Sequence, residues 1–168
     1  MRQARAFTLV EILIVVVLLG IMAAIVIPAL AKSTTGARET TLAMNLNLLR
    51  RFIPVYTSQH KEVQPGYPNG NTAAAPTEQA FIDQAMLSSN AAGQTAARGT
   101  VGYPYGPYLS KIPANPFNSK DTLQVLGDGE AFPGAADDSH GWIYKPASGE
   151  IRSDNTGTRS DGTPYYNY

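Results

Sequence analysis

Ala6-Phe7-Thr8-Leu9-Val10-Glu11 runs directly into ILIVVVLLGIMAAIVIPALA, residues 12 to 31, and this stretch decides how the remainder of the chain is organised. Ahead of it lies a short basic tip carrying Arg2 and Arg5. Within it Glu11 is the one ionisable side chain, and the 20 residues that follow carry no charge. At 1.5 Å rise per residue such a helix reaches about 30 Å, enough to cross the hydrocarbon core of a bilayer.

Two ordinary readings compete. A secretory signal peptide shares the basic start, but its apolar region is shorter and ends at a small-x-small cleavage site, for which Ala23-Ala24 and Ala29-Leu30-Ala31 are weak substitutes. A plain signal anchor fits the length, and the two arginines keep its N-terminus cytoplasmic. Neither explains Glu11. A carboxylate costs about 2.5 to 3.5 kcal/mol at the centre of a membrane helix, and less near its end, so it calls for a partner. No Lys, Arg or His follows in the neighbouring turns. A cut between Ala6 and Phe7 would place a new amino group about one turn ahead of Glu11, on this chain or on a neighbour's.

On these residues the chain resembles the type IV pilin and pseudopilin superfamily: a short basic leader, a small residue, then Phe-Thr-Leu-x-Glu opening an apolar helix. The resemblance implies that a prepilin peptidase cuts before Phe7 on the cytoplasmic face and methylates the Phe7 amine. It further implies that Glu11 pairs with the N-terminal amine of an adjacent subunit during filament assembly, and that Gly20 and Pro28 are the helix-loosening positions. One departure is Ala6, where the family usually has Gly. The implied partners are like and unlike pilin-type subunits, the peptidase and an inner-membrane assembly platform. The implied location is the inner membrane, single-pass, with the N-terminus cytoplasmic, and the envelope filament after assembly.

The domain organisation follows as a leader at 1–6, a transmembrane and filament-core helix at 7–31, an amphipathic continuation at 32–60 and a globular domain at 61–168. Thirteen basic and thirteen acidic residues balance, and loss of Arg2 and Arg5 leaves eleven against thirteen. That balance offers no basic footprint for nucleic acid. Cysteine is absent, which excludes disulfides and thiolate-bound metals.

Leu42, Leu46, Leu49, Ile53 and Tyr56 recur at spacings of four and three, one apolar face of a helix. One helix from about Phe7 to Thr57 is expected, stopping or bending near Phe52 because Pro54 is unfavourable inside it. The simplest use of the stripe is as core against the C-terminal domain. The segment 63–76, rich in Gly, Pro and Asn, reads as a loop. Thr77 reads as the N-cap of a short helix presenting Phe81, Ala85 and Met86 and ending near Ser88. Residues 89 to 102 read as a further loop.

Tyr103-Pro104-Tyr105-Gly106-Pro107-Tyr108 cannot be a central strand, since its prolines lack donors. Its aromatics suit either the flank of a small sheet or a sugar-stacking surface. Leu109-Ser110-Lys111-Ile112-Pro113-Ala114-Asn115-Pro116 is similar to segments of pseudopilins related to the major type II secretion subunit. A strand is expected at Thr122 to Leu126, and a β-hairpin from Gly141-Trp142-Ile143-Tyr144 and Gly149-Glu150-Ile151-Arg152-Ser153. The expected fold is therefore α+β and pilin-like, a long N-terminal helix packed on a small C-terminal antiparallel sheet.

In the secretion branch, acidic residues of a C-terminal loop hold calcium, which takes six to eight oxygens. Asp128, Glu130, Asp137, Asp138, Asp154 and Asp161 are the candidates here, but they match no calcium-loop spacing, and solvated carboxylates are the simpler reading. No enzyme signature appears: His60 and His140 have no metal-ligand spacing, and Asp137-Asp138-Ser139-His140 are adjacent positions on one loop. The favoured function is a structural subunit of an envelope filament, most readily a type II secretion pseudopilin. The alternatives are a type IV pilin for adhesion, motility or DNA uptake, and a membrane-anchored binding module.

Overall fold

The computed structural model describes residues 8–159 and 161–168. The chain divides into two units, Met1–Arg38 and Glu39–Tyr168. Helix α1, Leu9–Gln59, supplies the described helical part of the first and the opening helix of the second. Its first part is an apolar run rich in Leu, Ile, Val and Ala and its second part carries the apolar stripe from Leu42 to Tyr56, so the helix runs on through Gly20, Pro28, Gly36 and Pro54.

The expected stop near Phe52 does not occur: α1 continues through Pro54 to Gln59. Arg50 and Pro54 both lie on the exposed side, where water can take the Arg50 carbonyl that the proline leaves without a donor. On the opposite side Phe52, Ile53 and Tyr56 are at most 4% exposed. Burying three such side chains contributes about 1.5 to 3 kcal/mol each, which outweighs the roughly 3 kcal/mol cost of one internal proline.

The predicted stripe is the spine of the core. Leu42, Leu46, Leu49, Ile53 and Tyr56 are all buried, and they pack with Phe81, Leu123, Trp142, Tyr144 and Ile151. Phe81 sits edge-on to Phe52 at 5.4 Å and against Tyr144 at 4.8 Å, so one ring joins α1 to the sheet. Helix α2, Glu78–Met86, starts as the sequence predicts, with the Thr77 hydroxyl accepting from Ala80 N at 3.1 Å. Glu78 Oε1 accepts from Leu123 N at 2.7 Å and ties that start to the sheet.

Strands β3 (Leu123–Val125), β4 (Trp142–Lys145) and β5 (Glu150–Ser153) form a sheet in the order β3-β4-β5. The hairpin is antiparallel as expected, pairing Trp142 with Ser153 and Tyr144 with Ile151. Strand β3 instead lies parallel to β4, with Leu123 opposite Trp142, so the sheet is mixed. The long connection from Leu126 to Gly141 permits this, because it returns the chain to the same end of the sheet. Trp142, Tyr144 and Ile151 face the main core; Ile143 joins Leu126 and Tyr166 in a second cluster on the other face.

Part of the segment expected to be a loop after Ser88 pairs instead. Strands β1 (Ser88–Ser89) and β2 (Thr95–Ala96) form a short antiparallel ladder. The turn between them is built on Asn90, whose Oδ1 accepts from Ala92 N and Gln94 N at 3.0 and 3.2 Å. Tyr105 adds an isolated bridge to Ser89, so the Tyr-Pro segment lies against this ladder and against His60. The polar tail also returns: Tyr165 and Tyr166 are buried, and Ser153 Oγ donates to Tyr165 O at 2.6 Å. The Tyr165 hydroxyl donates to Glu39 Oε1 at 2.8 Å. Burial, reinforced by the Glu39 carboxylate, pushes its pKa up to about 12 and keeps it a donor.

Candidate functional site

Among the described residues one helix is long and apolar enough to cross a membrane, and it is the N-terminal stretch of α1. Every large apolar side chain from Leu9 to Leu30 is between 49% and 84% exposed within the chain. A surface of that extent is not stable in water; it requires lipid or apolar neighbours. Only one side chain in this stretch, Glu11, carries charge.

At the head of the helix Thr8 and Glu11 cap one another. Glu11 N donates to Thr8 Oγ1 at 3.2 Å, and Thr8 N donates to Glu11 Oε2 across a longer 3.5 Å. This is the reciprocal capping box, Thr at the N-cap and Glu three residues on, and it satisfies two main-chain donors that the first helical turn leaves open. The carboxylate also lies in the first turn, where the helix dipole favours negative charge. The Thr-x-x-Glu spacing was readable in the sequence, and Thr8 is the one site residue that the sequence argument passed over.

Gly20 and Pro28 both fall inside α1, and beyond its chain neighbours and the backbone of its own turns no described atom lies within 4 Å of where a Cβ would stand at Gly20. That opening leaves the position free for close approach by another helix. Ala6 and Phe7 lie outside the described residues.

The other sequence candidates form no second site. His60 is buried, stacked on Tyr56 at 3.7 Å, with Nδ1 at 2.7 Å from Tyr56 O and Nε2 at 2.9 Å from Ser89 Oγ. A carbonyl only accepts, so Nδ1 carries the proton and Nε2 accepts from the serine. Burial holds its pKa below the usual histidine value, against the opposing pull of the Tyr56 carbonyl. Tyr105 and Tyr108 pack edge-on to His60, which uses them as core cover.

Ser139 Oγ and His140 Nδ1 do meet, at 2.7 Å. The nearby Asp154 bonds the serine hydroxyl and the His140 main-chain N–H, not the second ring nitrogen. The imidazole is therefore not oriented as a general base by a carboxylate, and the constellation lacks the geometry of a hydrolytic triad.

A capped apolar helix opening on a lone carboxylate, followed by a small α+β domain, defines a pilin-like subunit. Residues 1–27 match the family described as the prokaryotic N-terminal methylation motif. The chain is 30% identical over 130 residues to the type II secretion system core protein G of Klebsiella pneumoniae, covering 77% of this chain and 79% of that protein. It is 27% identical over 156 residues to the protein of the same name from Aeromonas hydrophila, covering 86% and 96%. Over 56 residues it is 39% identical to the type IV wide pilus major component PilA4 of Thermus thermophilus, covering 33% of this chain and 43% of that protein. No solved structure gives a significant match. The chain belongs to the type II secretion system core protein G family. Pseudopilins and pilins are structural filament subunits rather than enzymes.

Proposed function

We propose that this chain is a structural subunit of a type II secretion filament. A prepilin peptidase removes residues 1–6 by cutting between Ala6 and Phe7 and methylates the new Phe7 amine. Residues 7–31 then hold the subunit in the inner membrane as a single span, with the N-terminus cytoplasmic and the domain at 61–168 beyond the membrane, and residues 32–60 continue the helix.

The observation that carries this reading is the exposed apolar helix from Leu9 to Leu30 with its single capped carboxylate. In lipid, the capping box keeps the Glu11 oxygens near main-chain donors. During assembly the apolar helices leave lipid and pack on one another. Lipid tails are as apolar as leucine, so the gain comes from interlocking side chains and from polar pairing. Glu11 supplies the pairing by meeting the Phe7 amine of a neighbouring subunit. Gly20 and Pro28 loosen the helix to let it seat, and an inner-membrane platform drives the transfer.

The secretion reading is preferred over a type IV pilin because the likeness to core protein G spans most of both chains, while that to PilA4 covers a third of this one. Expression with and without prepilin peptidase tests the first step. The expected result, only when the peptidase is present, is the loss of the mass of residues 1–6 together with the gain of one methyl group. An unchanged mass in its presence would overturn the proposal.

A further inference from the structure

The family to which the chain belongs implies a calcium ion in the acidic C-terminal segment, and the donor chemistry of this chain does not fit one. Asp154 is fully buried, and its carboxylate is taken up on both oxygens. Oδ1 accepts from the main-chain N–H groups of Asp137 and Asp138 at 2.9 and 3.3 Å; Oδ2 accepts from His140 N at 2.8 Å and Ser139 Oγ at 3.2 Å. Successive N–H groups turned inward make a concavity of positive partial charge, which receives an anion and repels a cation. Here the anion is the protein's own side chain.

The other candidates are engaged by donors as well. Asp138, at φ +60°, accepts from Asn155 Nδ2 at 3.0 Å and from the Thr156 hydroxyl. Asp137 accepts from Ser139 N at 2.9 Å, Glu130 from Gly127 N at 2.8 Å, and Asp161 from Thr163 N at 2.9 Å. Asp128 accepts from the Tyr67 hydroxyl. Calcium sites also draw on main-chain carbonyls. In this loop the carbonyls of Asp138 and Ser139 already accept from the Lys120 ammonium, at 2.8 and 3.0 Å. Among the described residues no three His, Cys, Asp or Glu side chains are grouped to hold a metal.

We propose that the loop at 137–140 is latched to the residue that follows strand β5 and to residue 120 by the protein's own charges, Asp154 as the internal anion and Lys120 as the internal cation, in place of a bound divalent ion. The two bind different groups of one loop. Asp154 gathers its N–H groups and Lys120 gathers its carbonyls, so the main chain there is satisfied without an ion or a metal-bound water. The domain then folds, and stays folded, when calcium is withdrawn.

The test is thermal unfolding of the full chain in detergent micelles, with chelator and with about 10 mM calcium, roughly tenfold above the Kd of the weakest extracellular sites. Coincident transitions are expected, together with no saturable heat in a calcium titration. A saturable rise in Tm with calcium would overturn the proposal. Asp154→Asn and Lys120→Met are each expected to lower Tm by about 3 °C or more, with no recovery on adding calcium. Lys120→Met keeps the test open should Asp154→Asn fail to fold, since Lys120 is exposed and its removal leaves the buried carboxylate in place. An unchanged Tm for Lys120→Met, or restoration of either variant by calcium, would contradict the latch.

Discussion

Replacing Glu11 by alanine and by glutamine separates two jobs that one side chain performs. Within its own chain Glu11 closes the capping box with Thr8, through contacts of 3.2 and 3.5 Å at an exposed helix end. Losing the side-chain half of that box and its charge near the helix dipole costs about 1 to 2 kcal/mol. Across a subunit boundary Glu11 is proposed to neutralise a neighbour's amine, and removing it strands a charge in the filament core at about 3 to 5 kcal/mol. At 1.4 kcal/mol per factor of ten, the pairing is worth about 100-fold or more in assembly, against about tenfold for the cap. Glutamine keeps an oxygen for Thr8 N but carries no charge. Both variants are therefore expected in the membrane at parental levels, and both should lose sheared filaments by about 100-fold when the sheared and membrane fractions are compared by immunoblot. Filament yield from Glu11→Gln within about twofold of the parent would refute the pairing and leave only the cap.

Three further predictions rest on the domain and on the cut. Gln84 is buried and binds Gly66 N at 2.7 Å, Tyr67 O at 2.8 Å and Gly93 O at 3.3 Å, so Gln84→Leu should cost about 3 kcal/mol by leaving these main-chain groups unpaired. Denaturant unfolding followed through Trp142, the sole tryptophan, reads this directly, and a loss under about 0.5 kcal/mol would contradict it. His60 is held neutral by burial, its pKa lying below the ordinary 6.5, so its contribution is complete above about pH 6.5 and declines as pH falls toward the folded-state value. His60→Gln should flatten the fall in Tm between about pH 7 and pH 5; an equal slope in parent and variant would show that other groups set it. Ala6→Gly should be processed at least as fast as the parent in a pulse-chase gel, and slower processing would count against the cut between Ala6 and Phe7.

What the sequence made legible is what local pattern determines. Leu42, Leu46, Leu49, Ile53 and Tyr56 keep one helical face and are buried; Thr77 caps α2; β4 and β5 form the expected hairpin. The features that escaped depend on residues distant in sequence. The parallel pairing of Leu123 with Trp142 is set by how a long loop returns, not by either strand's alternation. Gln84 looks like a solvent residue of a short helix until Gly66 and Gly93 close over it. Tyr165 and Tyr166 close a tail rich in Gly, Ser, Thr and Asp that carries no strand or helix pattern, yet their rings enter the two clusters and their hydroxyls reach Glu39 and Pro133. Pro54 misleads for a related reason, since a propensity cost of about 3 kcal/mol is smaller than the packing around it. At the candidate site Glu11 is conspicuous as a charge in an apolar run, while the role of Thr8 depends on the geometry that sets its hydroxyl against Glu11 N.

The intact mass and first residue of the protein extracted from its native membrane bear most directly on the account. The expected chain begins at a methylated Phe7, so that a new amine exists for Glu11 of another subunit to meet. A mature protein that retains Met1 would leave Glu11 without that partner and would contradict the filament assignment.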